Sequence, residues 1–179
     1  MPIYELNGKR PRIHHTARVL DGAVVAGDVV VGPAVFLSWG AIVYAEEATL
    51  EIARGVCIGD GALVHCKENP IRIGEFALIG HGAQVCAGSV EDFGRVGINA
   101  VVLEGACVVE DSMLAADSLL LPGKRTSPGM MWAGRPAGPA EELGTADKNR
   151  KSAESRAFER LQIFNSLLPI DLQSVRFDF

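Results

Sequence analysis

The stretch IRIGEFALIGHGAQVC, Ile71–Cys86, decides the fold. Ile73, Ile79 and Val85 stand six residues apart, Gly74 and Gly80 follow the first two, and Ala77 and Ala83 come four places after them. An amphipathic helix repeats near 3.6 residues and a half-buried strand at 2, so neither produces this pattern. A short strand followed by a tight turn does. Toward the N-terminus a nine-residue step leads to Val64, Ile58 and Ile52, and a second to Val43, Leu37, Val31, Val25, Val19 and Ile13. Toward the C-terminus a five-residue step leads to Val90, then Val96, Val102, Val108, Leu114 and Leu120. All eighteen positions are Val, Ile or Leu, and a small residue recurs four places later at Ala17, Ala23, Ala41, Ala62, Ala100, Ala106, Ser112 and Ser118.

Such a repeat predicts a parallel β-helix, in which each unit buries its aliphatic only by stacking on its neighbours. Three units close one triangular coil, and coils stack at the ~4.8 Å strand spacing, so about six coils make a prism of roughly 30 Å. The longer steps add three residues each around Glu46–Leu50 and Lys67–Ile71, which are expected to bulge as loops. The repeat ends near Leu120, and a turn-rich stretch leads to Met131, Trp132 and a loop at Gly134–Pro139. Beyond it Ala157, Leu161, Phe164 and Leu168 share one helical face,. The expected division is a β-helix over 1–138, with a C-terminal helix and tail over 139–179 packing on it. The helix should stop before Pro169.

The formal net charge of −5 argues against a nucleic-acid or anionic-membrane partner,. No apolar run approaches the ~20 residues of a membrane span. Lys9, Arg10, Arg12 and Arg18 interrupt the N-terminus, which does not read as a signal peptide,. Cys57, Cys66, Cys86 and Cys107 are too sparse for a disulfide scaffold,. A cytoplasmic protein with reduced thiols is expected.

Residues three steps apart stack vertically. Tyr44, His65, Cys86 and Leu103 therefore share one corner, and Trp39, Asp60, His81 and Ile98 another. One prism does not easily bring His65, Cys86 and His81 together, whereas two prisms side by side can. His14 and His15, in the first coil, carry no signal. Cys57, Cys66 and Cys107 read as core or turn residues, with Cys66 alternating away from His65.

The segments ALVHC (62–66), IRIGEFALIGHGAQVC (71–86), VGINAVVLEGACV (96–108) and AGRPAG (133–138) resemble the γ-class carbonic anhydrases, which are trimeric left-handed β-helices of hexapeptide repeats. The resemblance covers about Ile13–Ala140. It implies the left hand of the coil, a homotrimer, and a Zn²⁺ site shared between subunits, with zinc or another divalent metal held by His65, His81 and Cys86. Cys86 stands where the family has a third His. Asp60 matches a family Asp beside the metal, and Glu68 falls where some members carry a proton-shuttling Glu. Two departures weaken CO2 hydration. Tyr44–Ala45–Glu46 replaces an Arg–Gly–Asp turn, and Gly59 replaces a Gln that positions substrate or water. Tyr44 can line the pocket but cannot replace the positive charge.

The implied reaction is a zinc lyase converting CO2 and bicarbonate. Two alternatives stay open on the same fold, because architecture does not fix chemistry. One is a hexapeptide acyltransferase, or a metal-dependent thioesterase, acting on an acyl thioester with His65 or His81 as general base. The other is a non-catalytic trimeric scaffold with a decayed site.

Overall fold

The computed structural model describes residues 3–145, 150–156, 159 and 162. The chain is a left-handed parallel β-helix of nineteen short strands among these residues. Three faces form the prism. One runs through Val24–Val31, Ile42–Ile52, Leu63–Cys66, Gln84–Cys86, Val101–Val102 and Leu119–Leu120, paired in register from Val25↔Val43 to Val102↔Leu120. The second carries the later halves of Val24–Val31 and Ile42–Ile52, then Ile71–Ile73, Ser89–Val90 and Cys107–Val108. Because those two long strands turn from one face into the next, both faces belong to one eleven-stranded sheet. The third face is an eight-stranded sheet containing Phe36–Leu37, Cys57–Ile58, Leu78–Ile79, Arg95–Val96 and Met113–Leu114.

The repeat explains the core. Sixteen of the eighteen aliphatics are buried, with Ile13 and Val19 partly buried at the open end. Each fully buried Val, Ile or Leu is worth about 1.5–3 kcal/mol. Four places on, Ala41, Ala62, Ala83 and Ala100 are fully buried where the turn closes. Backbone groups are satisfied from rung to rung, as in Gly80 N–H to Val96 O at 2.8 Å and Gly97 N–H to Leu114 O at 2.8 Å,.

Three expectations change. The prism has seven parallel rungs on its third face rather than six coils, because Met131 and Trp132 continue the ladder through Met113↔Met131 and Leu114↔Trp132. The segment Glu46–Leu50 is no loop but part of the continuous strand Ile42–Ile52. Its added residues are absorbed by a register shift opposite Gly27–Val29, and neighbours supply its partners: Asn7 donates to Glu46 O, Lys9 to Glu47 O, and Thr49 to Asp28. Only the excursion after Cys66 bends outward, at Lys67–Asn69. The third change is at the far end, where Ala137–Glu142 is an antiparallel strand returning on Met130–Gly134. This strand runs across the expected 138/139 division.

Residues 150–156 are helical and lie on the third face. Arg150 binds Asp111 through its Nε at 3.1 Å to each carboxylate oxygen, reaches Glu110 at 2.6 Å, and sits 5.0 Å from the Phe93 ring centroid. Ala153 is buried beneath it. Ala157, Leu161, Phe164, Leu168 and the tail lie outside the described residues. Among the described residues no helix is long and apolar enough to cross a membrane.

Candidate functional site

The first predicted corner forms as the columns require. Tyr44, His65 and Cys86 are in-register neighbours on three successive rungs. The Tyr44 and His65 rings stack, with centroids 5.0 Å apart and planes 6° apart. His65 Nδ1 is buried and has no hydrogen-bond partner among the described residues. Burial pushes the Cys86 thiol above its ordinary range, so it is held as a neutral thiol,. Burial, then the charges of Glu46 and Cys86, also raise Tyr44. Cys66 is fully buried on the opposite side of its strand, and all four cysteines are free.

The second corner places Asp60 against His81. The Asp60 backbone N–H donates to His81 Nδ1 at 3.0 Å, and Asp60 Oδ2 lies 3.2 Å from that same nitrogen. Both side chains are about half exposed. Ser38, almost wholly buried on the rung below, donates its hydroxyl to Asp60 Oδ1 and holds the carboxylate in place. Asp60 therefore offers both a donor and an acceptor to one ring nitrogen. With the N–H bond made, the imidazole proton sits on Nε2. When Nδ1 carries the proton instead it faces Oδ2, and the Nε2 lone pair is free to act as a base.

His81 also lines a cavity of about 390 Å³ with Leu78, Arg95, Ile98, Met113 and Arg156. Sequence reasoning missed Ser38, Arg95 and Arg156. Ser38 did leave a signal. It occupies the place after the aliphatic that Gly59, Gly80 and Gly97 hold on later rungs. Arg95 occupies a place where Phe36, Leu78 and Met113 stand on other rungs, but Arg156 comes from the helical segment and no repeat register foretells it.

Of the predicted residues, Tyr44, His65 and Cys86 come together, and Asp60 and His81 come together at a different corner. Glu68 joins neither set. It is exposed in the bend and faces Lys67 at 3.7 Å. Among the described residues no three His, Cys, Asp or Glu of one chain are grouped to hold a metal ion. The donor chemistry fits a metal only in part. His65 has a free ring nitrogen beside Cys86, whereas a metal on His81 Nε2 requires its Nδ1 to leave the Asp60 N–H and bear the proton.

The fold and its repeat define a hexapeptide-repeat protein. The chain belongs to the family of the carnitine operon protein CaiE. The Escherichia coli K12 member is 31% identical over 164 residues, covering 90% of this chain and 83% of that one. No protein-family model matches the chain. A hexapeptide transferase family protein from Anaplasma phagocytophilum superposes with a TM-score of 0.85 at 28% identity, over 93% of this chain and 98% of that one. AntD, an N-acyltransferase from Bacillus cereus solved as a point mutant with dTDP-4-amino-4,6-dideoxyglucose and coenzyme A, shares the fold alone. Its TM-score is 0.71 at 11% identity, over 82% of this chain and 91% of that one. These relatives support the hexapeptide-repeat superfamily and do not support the γ-class carbonic anhydrase, zinc or lyase assignments.

Proposed function

We propose that the protein transfers an acyl group from an acyl thioester of the coenzyme A type, with His81 as general base. The observation that carries this reading is the Ser38–Asp60–His81 chain at a cavity of small-molecule size. Nδ1 accepts the Asp60 N–H in the structure. When it leaves that bond and takes up the ring proton, Asp60 Oδ2, 3.2 Å away and fixed by Ser38, is there to accept a hydrogen bond from it, and Nε2 is left with its lone pair. Nε2 then takes the proton of the attacking hydroxyl, amine or water as that atom bonds to the thioester carbonyl carbon. The carbon–sulfur bond breaks, and the thiolate leaves with the proton from Nε2. With water as acceptor the same steps are thioester hydrolysis. The 28% identity to a hexapeptide transferase family protein supports the class of reaction.

Assembly as a homotrimer in the cytoplasm goes with this reading. Trp39, Ile42 and Ile98 are exposed apolar side chains near the His81 corner and give a second prism a surface to cover. Light scattering should then give three times the 19.0 kDa chain mass.

The test is thiol release from acetyl-CoA and longer acyl-CoAs, with and without amine and hydroxyl acceptors. His81→Ala should lower kcat/KM by about 10²–10⁴, the usual weight of a general base. Turnover unaffected by His81→Ala, or no turnover with any thioester, refutes the reading.

A second reading rests on the orphaned His65 nitrogen beside Cys86. His65 and Cys86 of one chain, with His81 of a neighbouring copy, would hold Zn²⁺ or another divalent metal. The metal would supply Lewis-acid polarisation of CO2 or of a thioester carbonyl. Hydration would be weak without the missing Arg and Gln. One zinc per chain, lost on Cys86→Ala, supports it, and no zinc after reconstitution removes it.

A further inference from the structure

The cavity at His81 holds two guanidinium groups that acyl transfer does not use. Arg95 stands between Leu78 and Met113 in the outward column of the third face, in register with both. Phe36, Cys57 and Met131 continue that column, so Arg95 interrupts an otherwise apolar ladder above Arg18. Its Nη2 is buried without a hydrogen-bond partner, and Arg95 forms no ion pair among the described residues. Burial first, and then the charge of Arg156, pull its pKa down, the direction expected of a cation held where water is scarce,.

The nearby acid offsets this charge less than burial and Arg156 oppose it. Asp111 is the carboxylate whose field reaches Arg95, but Arg150 occupies it, with its Nε 3.1 Å from each oxygen. Arg156 donates through Nη1 to Ser152 Oγ at 2.9 Å and likewise forms no ion pair among the described residues. Two cations thus line one cavity of about 390 Å³, with apolar walls from Leu78, Ile98 and Met113. A Leu or Met at 95 would suit the ladder better, because a buried charged group without a partner is costly. An oxyanion between the two guanidinium groups removes that cost and gains forked, charge-assisted hydrogen bonds.

We infer that Arg95 and Arg156 form an anion subsite that anchors a carboxylate or phosphate borne by the substrate, while the reacting carbonyl lies at His81. The link to His81 rests on the acyl-transfer reading; the subsite itself does not. The two sources of the anion differ in what they imply. A phosphate would come from the nucleotide end of the thioester carrier, and a carboxylate from the acyl group or the acceptor.

The experiment is calorimetric titration of the full-length protein with sodium pyrophosphate and with sodium succinate at matched ionic strength. Wild type should bind at least one of them. Arg95→Met and Arg156→Gln should each weaken that binding at least tenfold, and Arg95→Met without ligand should melt no lower than wild type. A preference for pyrophosphate assigns the carrier and a preference for succinate assigns the acyl group or acceptor. Binding of neither anion, or binding unchanged in both variants, overturns the subsite. Acyl-CoA turnover separates the two proposals. Arginine-dependent anion binding without thioester turnover leaves the subsite standing and removes the acyl-transfer reading. Turnover with a KM unchanged in both arginine variants does the reverse.

Discussion

Gly97→Ala tests the stacking that positions the cavity. Gly97 follows the buried Val96, and its backbone φ is ordinary, so a side chain there meets no conformational penalty of its own. The obstacle is the next rung. A Cβ on Gly97 would lie 2.4 Å from Ala116 N, 2.6 Å from Ala115 C and 2.8 Å from Ala116 Cα. These are backbone atoms fixed by their own ladder, including Ala115 N–H to Trp132 O at 2.8 Å, so no rotamer change relieves the contact. Relief requires parting two rungs that are packed at strand spacing. Overpacking of this kind costs about 1–3 kcal/mol, and rigid neighbours put this case near ~3. For a chain of this length each kcal/mol moves Tm by about 2–4 °C, so a fall of roughly 6–12 °C is expected. Gly123→Ala is the control. It has open space around its Cβ but a φ of +68°, which costs about 1 kcal/mol for an L-residue, or roughly 2–4 °C,. The assay is thermal unfolding followed by circular dichroism, at one protein concentration because an oligomer's Tm depends on it. Gly97→Ala melting at or above Gly123→Ala would refute the argument that rung spacing sets the cost.

Two further outcomes follow from the site and the core. Asp60→Asn keeps the backbone N–H to His81 Nδ1 but removes the carboxylate 3.2 Å away. At that distance a unit charge pair is worth about 1.3 kcal/mol in water and about 5 at an effective dielectric near 20. The half-exposed pair belongs toward the lower figure, so about 2 kcal/mol and a roughly thirtyfold loss of kcat/KM for thiol release are expected; an unchanged kcat/KM would remove Asp60 from the mechanism. Cys107 gives an alkaline prediction. Burial raises its thiol above 9.0, so the folded state holds this proton more tightly than the unfolded chain does. Its contribution is intact below about pH 9 and is lost as pH rises through the folded value. Urea unfolding should therefore show stability declining above pH 9, less steeply in Cys107→Ala, and identical pH dependence in the two proteins would contradict this.

Much of the fold was legible because a six-residue period has one economical solution. The columns predicted from Val43, Val64, Val85 and Val102 are in-register partners, and with them Tyr44, His65 and Cys86. The continuous strand through Glu46–Leu50 was not legible, because its pairing depends on Asn7, Lys9 and Asp28 arriving from earlier rungs. At the site, the residue resemblance pointed to His65, His81 and Cys86 as one ligand set. Within one chain the structure joins His81 to Asp60 and Ser38, because those residues occupy successive rungs of one corner, as the columns place Asp60 and His81; the His65–His81–Cys86 set spans two copies.

By itself the sequence determined the β-helix, the inward aliphatics and the two stacked corners, since all three follow from a period that fixes which residues lie above one another. Only the tertiary structure decided what those corners face. The Ser38–Asp60–His81 chain depends on side-chain directions that a period does not specify. The cavity with Arg95 and Arg156 depends on a helical segment folding back about sixty residues later in the chain. Rung spacing is a local property of the repeat, whereas where charge is left unpaired is settled only when distant segments pack.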